Sequence, residues 1–439
     1  MPETRTTTGH ALQKITAVVT LGSSLLLQGC GGSTGSSTST VAPPAQKTIA
    51  QIQVTGQPVL VFDHTKDKQP QPLNIPDAQI TAWREANGTV NLMVPNYEVY
   101  RMRGPDLLHL TIDPNEIYSG SQSGGEIPED LYNYHHWLMG PYSLDGKTFY
   151  TLTHSEWYAC LLNNDCDQSP YVNGWENTVN SMVSTDGGAS WSLNTVNGNH
   201  TVANGGFHWT GSTALANKIY LYALNHSGMF QPTRVIKEGA YYYAIAFYTH
   251  RDFTQIDPTK GIYQAPVDAN GYALLRTDDI TNPNNWQVWS GGSTYQPVAS
   301  GPIVVFLPQQ NGVTLNGPPP QIIYDTVAQC YILIHTIAGS QSASTYPVYY
   351  MTTKSLANPV WSDSTPILGT SQLLTDPGGA VHGFNDANYP SILDNNSPGF
   401  NFEFTSGSPL LFWSTFPAQY GGDNLARDIY LVQLSVTYH

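Results

Sequence analysis

Met182-Val-Ser-Thr-Asp-Gly-Gly-Ala-Ser-Trp191 is the stretch whose reading decides the fold. An alternating strand runs into a turn that demands glycine, and a tryptophan stands on the returning chain. The same order recurs in Ala273-Leu-Leu-Arg-Thr-Asp-Asp-Ile-Thr-Asn-Pro-Asn-Asn-Trp286 and in Tyr349-Tyr-Met-Thr-Thr-Lys-Ser-Leu-Ala-Asn-Pro-Val-Trp361. Working outward, a hairpin precedes each of these signatures, and five hairpins can be counted along the chain. They span residues 80–94, with a turn at Asn87-Gly88; 140–152, with Asp145-Gly146; and 233–245, with Gly239. The fourth, 320–334, lacks the glycine, and the fifth, 389–414, has a longer turn. The last unit ends in a lone strand, Asp428-Ile-Tyr-Leu-Val-Gln-Leu-Ser-Val436.

Two hairpins make a four-stranded antiparallel sheet, and no helical period of any length competes with this pattern. The roughly 390 residues from position 50 onward divide into five units of about 78. Residues 50–439 are therefore expected to form one all-β domain, a five-bladed β-propeller of four-stranded antiparallel blades. A sandwich would also supply many short strands, but not this order of repeats.

Composition narrows the function. The chain has 439 residues, of which 17 are Lys or Arg and 32 Asp or Glu, a net charge of −15. Such a field, without any basic run, repels a phosphate backbone, so nucleic acid is excluded as a partner. Charged residues make up 11%, against about 25% in typical domains. The 10 Trp, 27 Tyr and 13 Phe still provide ample apolar area for a core. Few lysines and many Tyr, Asn, Thr, Ser and Gly residues suit a secreted β protein, expected as a monomer.

The first thirty residues give an address. Arg5, His10 and Lys14 lie in a polar stretch ahead of an apolar core at 15–27, too short to span a membrane and suited to a signal peptide. Leu27-Gln28-Gly29-Cys30 resembles a bacterial lipobox, which implies lipidation of Cys30 after cleavage. Residues 1–30 would then be a lipoprotein signal peptide and 31–49 a Gly/Ser/Thr/Pro tether. The expected location is the cell surface or outer membrane, lipid-anchored, with the membrane contacted through the lipid alone. In an oxidising compartment Cys160 and Cys166, five residues apart in a polar stretch, are expected to close a small disulfide. Cys330, in the apolar run Cys330-Tyr-Ile-Leu-Ile334, is expected to be a buried free thiol.

Ser184-Thr-Asp186-Gly-Gly188-Ala-Ser-Trp191 resembles the Asp box of sialidase-type propellers, a structural turn to which no catalytic role is given. One such box and no recognisable arginine triad disfavour a sialidase. The five-unit organisation, with an acidic residue opening the first unit, resembles the five-bladed glycosidase superfamily of arabinanases, β-xylosidases, invertases and levansucrases. Residues 74–114, Leu152-Thr-His154-Ser-Glu156-Trp157, and Tyr389-Pro-Ser-Ile-Leu-Asp394 with Arg427-Asp428 also resemble a group of secreted propeller proteins. The glycosidase resemblance implies a first-blade Asp as base or nucleophile, matched by Asp77. It also implies an Asp on the third blade, where Met229-Phe-Gln231-Pro232-Thr-Arg234 has glutamine, and a later Glu as acid, which the fourth repeat does not supply.

Glycoside hydrolysis needs two carboxylates, about 5–5.5 Å apart in a retaining pair and 6.5–9.5 Å in an inverting one. Asp77 and Glu156 form the expected pair, with Glu156 beside His154 and Trp157, where desolvation favours the protonated acid. For Asp77 the structural alternative is a turn cap after Pro76. Arg101, Arg103 and Arg234 are candidate ligands for hydroxyls or a carboxylate, or else partners of Asp106 or Glu98. Trp157 and Tyr389 are candidate sugar platforms, and His382 and Asp386 candidates for the same funnel. His135-His136 lacks the companions of a metal site, so no metal or cofactor is expected beyond a structural Ca²⁺. The function expected from these residues is an extracytoplasmic glycoside hydrolase acting on a poly- or oligosaccharide. A non-catalytic carbohydrate-binding propeller and a polysaccharide lyase with His154 or a tyrosine as base are the alternatives.

Overall fold

The computed structural model describes residues 46–67, 76–96, 98–120, 134–158, 175–204, 227–252, 255, 257–260, 266–298, 303–314, 320–336, 348–370, 388–415 and 427–439. Cys30, Cys160, Cys166, His382 and Asp386 lie outside them.

The described strands pair into one four-stranded, one twelve-stranded, one two-stranded and two five-stranded sheets, antiparallel except at two short contacts, and in chain order they group into successive blades. Blade one consists of Ala82–Arg84, Val90–Val94, Glu98–Gly104 and Thr111–Ile112. In blade two an inner strand in two pieces, His136–Leu138 and Tyr142–Ser143, pairs with Phe149–Tyr158. Trp175–Ser184 follows, edged by Ser192–Leu193 and Thr201–Ala203. Blade three repeats that design with Ser227–Phe230 and Ile236–Glu238, then Tyr241–Arg251, Val267–Thr277 and Gln287–Gly291. Blade four is Gln321–Asp325, Cys330–His335, Tyr349–Thr353 and Thr365–Pro366.

Blade five explains the lone strand at the end of the sequence. Asn388–Leu393, Leu410–Ser414 and Ile429–Tyr438 supply three strands, and the N-terminal strand Ile49–Phe62 supplies the fourth, antiparallel to Ile429–Tyr438. The two ends of the domain thus close one sheet.

The ring is closed by packing as well as by pairing. Side chains alternate between strand faces, so neighbouring residues address neighbouring blades. Met93 packs toward blade two and Leu92 toward blade five; Leu333 packs toward blade three and Ile332 toward blade five. Five apolar clusters result, one at each junction: one–two around Trp83 and Trp191, two–three around Met229, three–four around Tyr243, four–five around Trp413, and five–one around Phe412. Packing of successive sheets face to face in this way is that of a β-propeller. Near the axis there is no room to spare, since a Cβ on Gly140 of blade two would come within 2.2 Å of the Arg234 Cα of blade three.

The Asp box forms the turn between the third strand and the edge of blade two. Asp186 Oδ1 accepts the Ala189 and Ser190 amides, both at 3.0 Å, and Gly188 N–H donates to Ser184 Oγ at 2.8 Å. Gly188, at φ +89°, leaves space that a Cβ would contest with the Trp83 indole at 2.6 Å. Trp83 in turn donates to Gly187 O at 3.0 Å and meets Trp191 edge-on, ring centres 6.4 Å apart. The box therefore seals the junction between blades one and two. Cys330 is a buried free thiol, its pKa pushed up to about 11 by burial.

One loop ties the whole ring together. Residues 395–405, in the long turn of the fifth hairpin, bond to every other blade. Phe400 O accepts Arg84 N–H of blade one at 2.8 Å. Asn401 and Ser143 of blade two exchange two bonds, at 2.8 and 3.0 Å. Glu403 Oε2 accepts Lys237 N–H of blade three at 3.0 Å, and Phe404–Thr405 pairs in parallel with Gln321–Asp325 of blade four.

Candidate active site

The inner strands all run toward that loop, which leaves their starting ends grouped at the opposite end of the axis. Asp77 sits there, ahead of the first inner strand, its N–H donating to Pro95 O at 2.7 Å. The Asp77 side chain is 28% exposed, and its Oδ1 accepts from the Arg427 guanidinium and from the Tyr389 hydroxyl, the latter at 3.1 Å. Arg427 also donates to Pro76 O at 3.3 Å, so one buried guanidinium grips both the backbone before Asp77 and its carboxylate. Nothing among the described residues bonds Oδ2. Burial, then the Asp77 charge, holds the Tyr389 phenol protonated far above its ordinary range, with Arg427 and Gln231 opposing. Tyr389, expected as a sugar platform, is held here as a donor to Asp77.

Backbone strain marks the same end. Of seven described non-glycine residues at positive φ, three stand on inner strands or just ahead of them: His135 at +44°, Gln231 at +46° and Tyr389 at +52°. Such conformations are retained where neighbours over-determine them, and they concentrate at functional sites. Gln231 is 7% exposed and its Oε1 finds no partner, an acceptor suited to a ligand hydroxyl.

Glu156 occupies a different setting. His154 Nε2 lies 3.4 Å from Glu156 Oε1, and the His154 ring stacks on Trp137 at 4.7 Å and 7°. Trp137 itself packs with Ala78, the residue after Asp77, and with Met139. Trp137 thus contacts both the residue after Asp77 and the histidine paired with Glu156, and among the described residues no hydrogen bond joins the two carboxylates. Leu152, on the same strand face as His154 and Glu156, belongs to the junction with blade three, and Phe230 of that blade meets His154 edge-on at 6.3 Å. Trp157 is buried on the opposite face, because adjacent strand residues point apart, and it is not brought to Glu156. Burial pushes His136 down to about 3 and His135 to about 4, so both stay neutral at physiological pH.

The arginines singled out in the sequence are engaged elsewhere. Arg101 Nε donates to Asp113 at 3.0 Å in a buried pair, and Arg103 bonds Glu85 at 3.0 Å; Asp106 instead pairs with His109 at 2.8 Å. Arg234 is 2% exposed and donates to Phe402 O, Ile392 O and Gln321 Oε1. Its pKa falls to about 9 through burial. Two main-chain carbonyls of blade five and one side-chain amide of blade four thus engage this buried guanidinium at the ring centre. Arg427, which does serve the site, had a detectable signal: one of few basic residues, it immediately precedes the last strand.

Asp63, His64 and Asp428 present ligand atoms within 4.8 Å of one another. Their oxygens are already used: Asp63 binds Lys66 and Thr65, and Asp428 Oδ1 accepts His64 N–H at 2.8 Å with His64 Nδ1 at 2.7 Å. These residues fit a structural clasp better than a Ca²⁺ cage, which takes six to eight oxygens.

The described residues form a β-propeller in which Arg427 and Tyr389 clamp the Asp77 carboxylate near the starting ends of the inner strands. Solved structures similar to this chain are carbohydrate-active enzymes. The α-L-arabinanase of Cellvibrio cellulosa in complex with arabinohexaose is 12% identical over 83% of this chain and 96% of that one, TM-score 0.44. The catalytic domain of the Coprinopsis cinerea α-L-arabinofuranosidase is 10% identical over 88% and 96%, TM-score 0.44. The endo-1,5-α-L-arabinanase of Thermotoga petrophila is 10% identical over 87% and 73%, TM-score 0.44. No family model and no curated protein sequence matches the chain.

Proposed function

We propose that this protein is an extracytoplasmic, lipid-anchored glycoside hydrolase in which Asp77 acts on a poly- or oligosaccharide as base or nucleophile. The observation that carries the reading is the Asp77 carboxylate itself. One oxygen is fixed by Arg427 and Tyr389, while the other is open at the strained end of the ring. A carboxylate locked in one rotamer meets a sugar ring or an attacking water without first losing side-chain entropy. Glu156, paired with His154, is the proposed acid; it would protonate the leaving glycosidic oxygen from the blade-two side. Anchoring through Cys30, with residues 31–49 as tether, would hold the domain at the cell surface. Incorporation of labelled palmitate in wild type and its loss in Cys30→Ser checks this part.

The second reading is a carbohydrate-binding propeller without turnover. Gln231 favours it, a neutral amide at the third-blade position where the glycosidase resemblance implies a carboxylate. A panel of polysaccharides scored for new reducing ends and for the absorbance of unsaturated products separates the cases. Hydrolysis that falls by orders of magnitude in both Asp77→Asn and Glu156→Gln, with ligand binding retained, supports the proposal. Binding without cleavage supports the second reading, unsaturated products indicate a lyase, and hydrolysis untouched in both variants overturns the assignment.

A further inference from the structure

The strand that closes the ring also reaches the site. Ile49–Phe62 is the outer strand of blade five, and His64 follows it by two residues. His64 gives two bonds to Asp428 Oδ1, from its backbone N–H at 2.8 Å and its ring Nδ1 at 2.7 Å. Asp428 is 5% exposed, and Thr415 holds its main chain on both sides: Asp428 N–H donates to Thr415 Oγ1 at 2.9 Å, and Thr415 N–H to Asp428 O at 3.0 Å. The neighbouring residue is Arg427, whose guanidinium clamps Asp77 and Pro76 O.

We infer that His64 is a positioning residue for the Asp77 carboxylate, acting from the end of the ring-closing strand through Asp428 and Arg427. An arginine side chain has many rotamers, and holding it in one is costly unless its root is already fixed. Here the root is fixed by a buried carboxylate whose ring-nitrogen donor comes from the N-terminal strand. Without that donor, Asp428 keeps a buried charge short of one hydrogen bond and turns to find another. The backbone at 427–428 turns with it, and Arg427 loses its alignment on Asp77. Closure of the ring and assembly of the site are then one event, so an open ring carries no competent carboxylate.

The test uses the full chain, ¹⁵N-labelled, and reads the Arg427 Nη1–H resonances, which the bonds to Asp77 and Pro76 O protect from solvent exchange. His64→Ala should abolish that protection. His64→Asn, whose amide can donate to Asp428, should restore it. Ile52→Val, a core change in the same strand away from Asp428, should leave it intact. A second arm, resting on the proposed function, measures affinity for the best glycan of the panel, expected to fall about tenfold in His64→Ala and to recover in His64→Asn. Protection that persists in His64→Ala, or that is lost equally in Ile52→Val, overturns the inference. Absence of any glycan binding would refute the proposed function while leaving the resonance arm to decide this one.

Discussion

The two ends of the propeller axis are built from the same inner strands, yet their polar groups are satisfied in opposite ways. At the loop end, residues 395–405 place their carbonyls and side chains on all four other blades, and Arg234 fills its donors with main-chain oxygens. At the Asp77 end, Asp77 Oδ2 and the buried Gln231 Oε1 have no partner among the described residues, and His135, Gln231 and Tyr389 hold left-handed backbones, as Phe402 does at the loop end. On the proposed function the acceptors at the Asp77 end await a ligand; Gln321 Nε2, beside Arg234, is likewise buried without a partner among the described residues. On the proposed function, the loop end holds the ring and the Asp77 end carries the chemistry.

The comparison breaks first if the loop end proves dispensable. Replacing Arg234 with methionine removes the partner of three buried acceptors on blades four and five. Urea unfolding should register a loss of about 3–5 kcal/mol. A loss below about 1 kcal/mol would show that the loop merely rests on the ring.

Glu403 sharpens the contrast through pH. It is buried among Tyr142, the Lys237 amide, Asn401, Arg234 and, more distantly, Tyr331, and burial raises its pKa above the ordinary value. The folded state therefore holds a proton that the unfolded chain gives up more readily. Its contribution declines as pH climbs from the ordinary glutamate range through the raised value. Stability of wild type measured from pH 4 upward should fall across that window relative to Glu403→Gln; parallel profiles would contradict the account.

At the other end the expected stability effects are smaller. Tyr389→Phe deletes one hydrogen bond to Asp77 and should cost about 1 kcal/mol or less. It should weaken ligand affinity or turnover all the same, because Oδ1 keeps only the arginine. Asp77→Asn should change the unfolding midpoint least of all while removing turnover. A large loss of stability here would make Asp77 the turn cap that its place after Pro76 also allowed.

How far the sequence could be read follows from the same division. Alternation and turn chemistry are local, so the five hairpins, the Asp186 turn and Trp191 were visible in the chain, and the unpaired strand at 428–436 foreshadowed closure by the N-terminus. Asp77 was legible as an acid opening the first inner strand. Its partners were not: Arg427 lies 350 residues away, and only the register of blade five brings it there. The same distance hid the loop at 395–405, whose bond to Ser143 crosses 258 residues. Arg101, Arg103 and Arg234 were misdirected because an arginine inside a strand reads alike whether it meets a ligand, a carboxylate or a carbonyl. Trp157 was assigned to Glu156 by proximity in sequence, although adjacent strand positions face apart.

The claim that the Asp77 end is the working end has one direct measurement: side-chain NMR of the labelled protein titrated with the best-bound glycan of the panel. The account predicts that the largest perturbations fall on the Asp77 carboxyl, the Tyr389 ring and the Gln231 amide, with residues 395–405 unmoved. Saturating perturbations at 395–405 with Asp77 and Gln231 silent would contradict it.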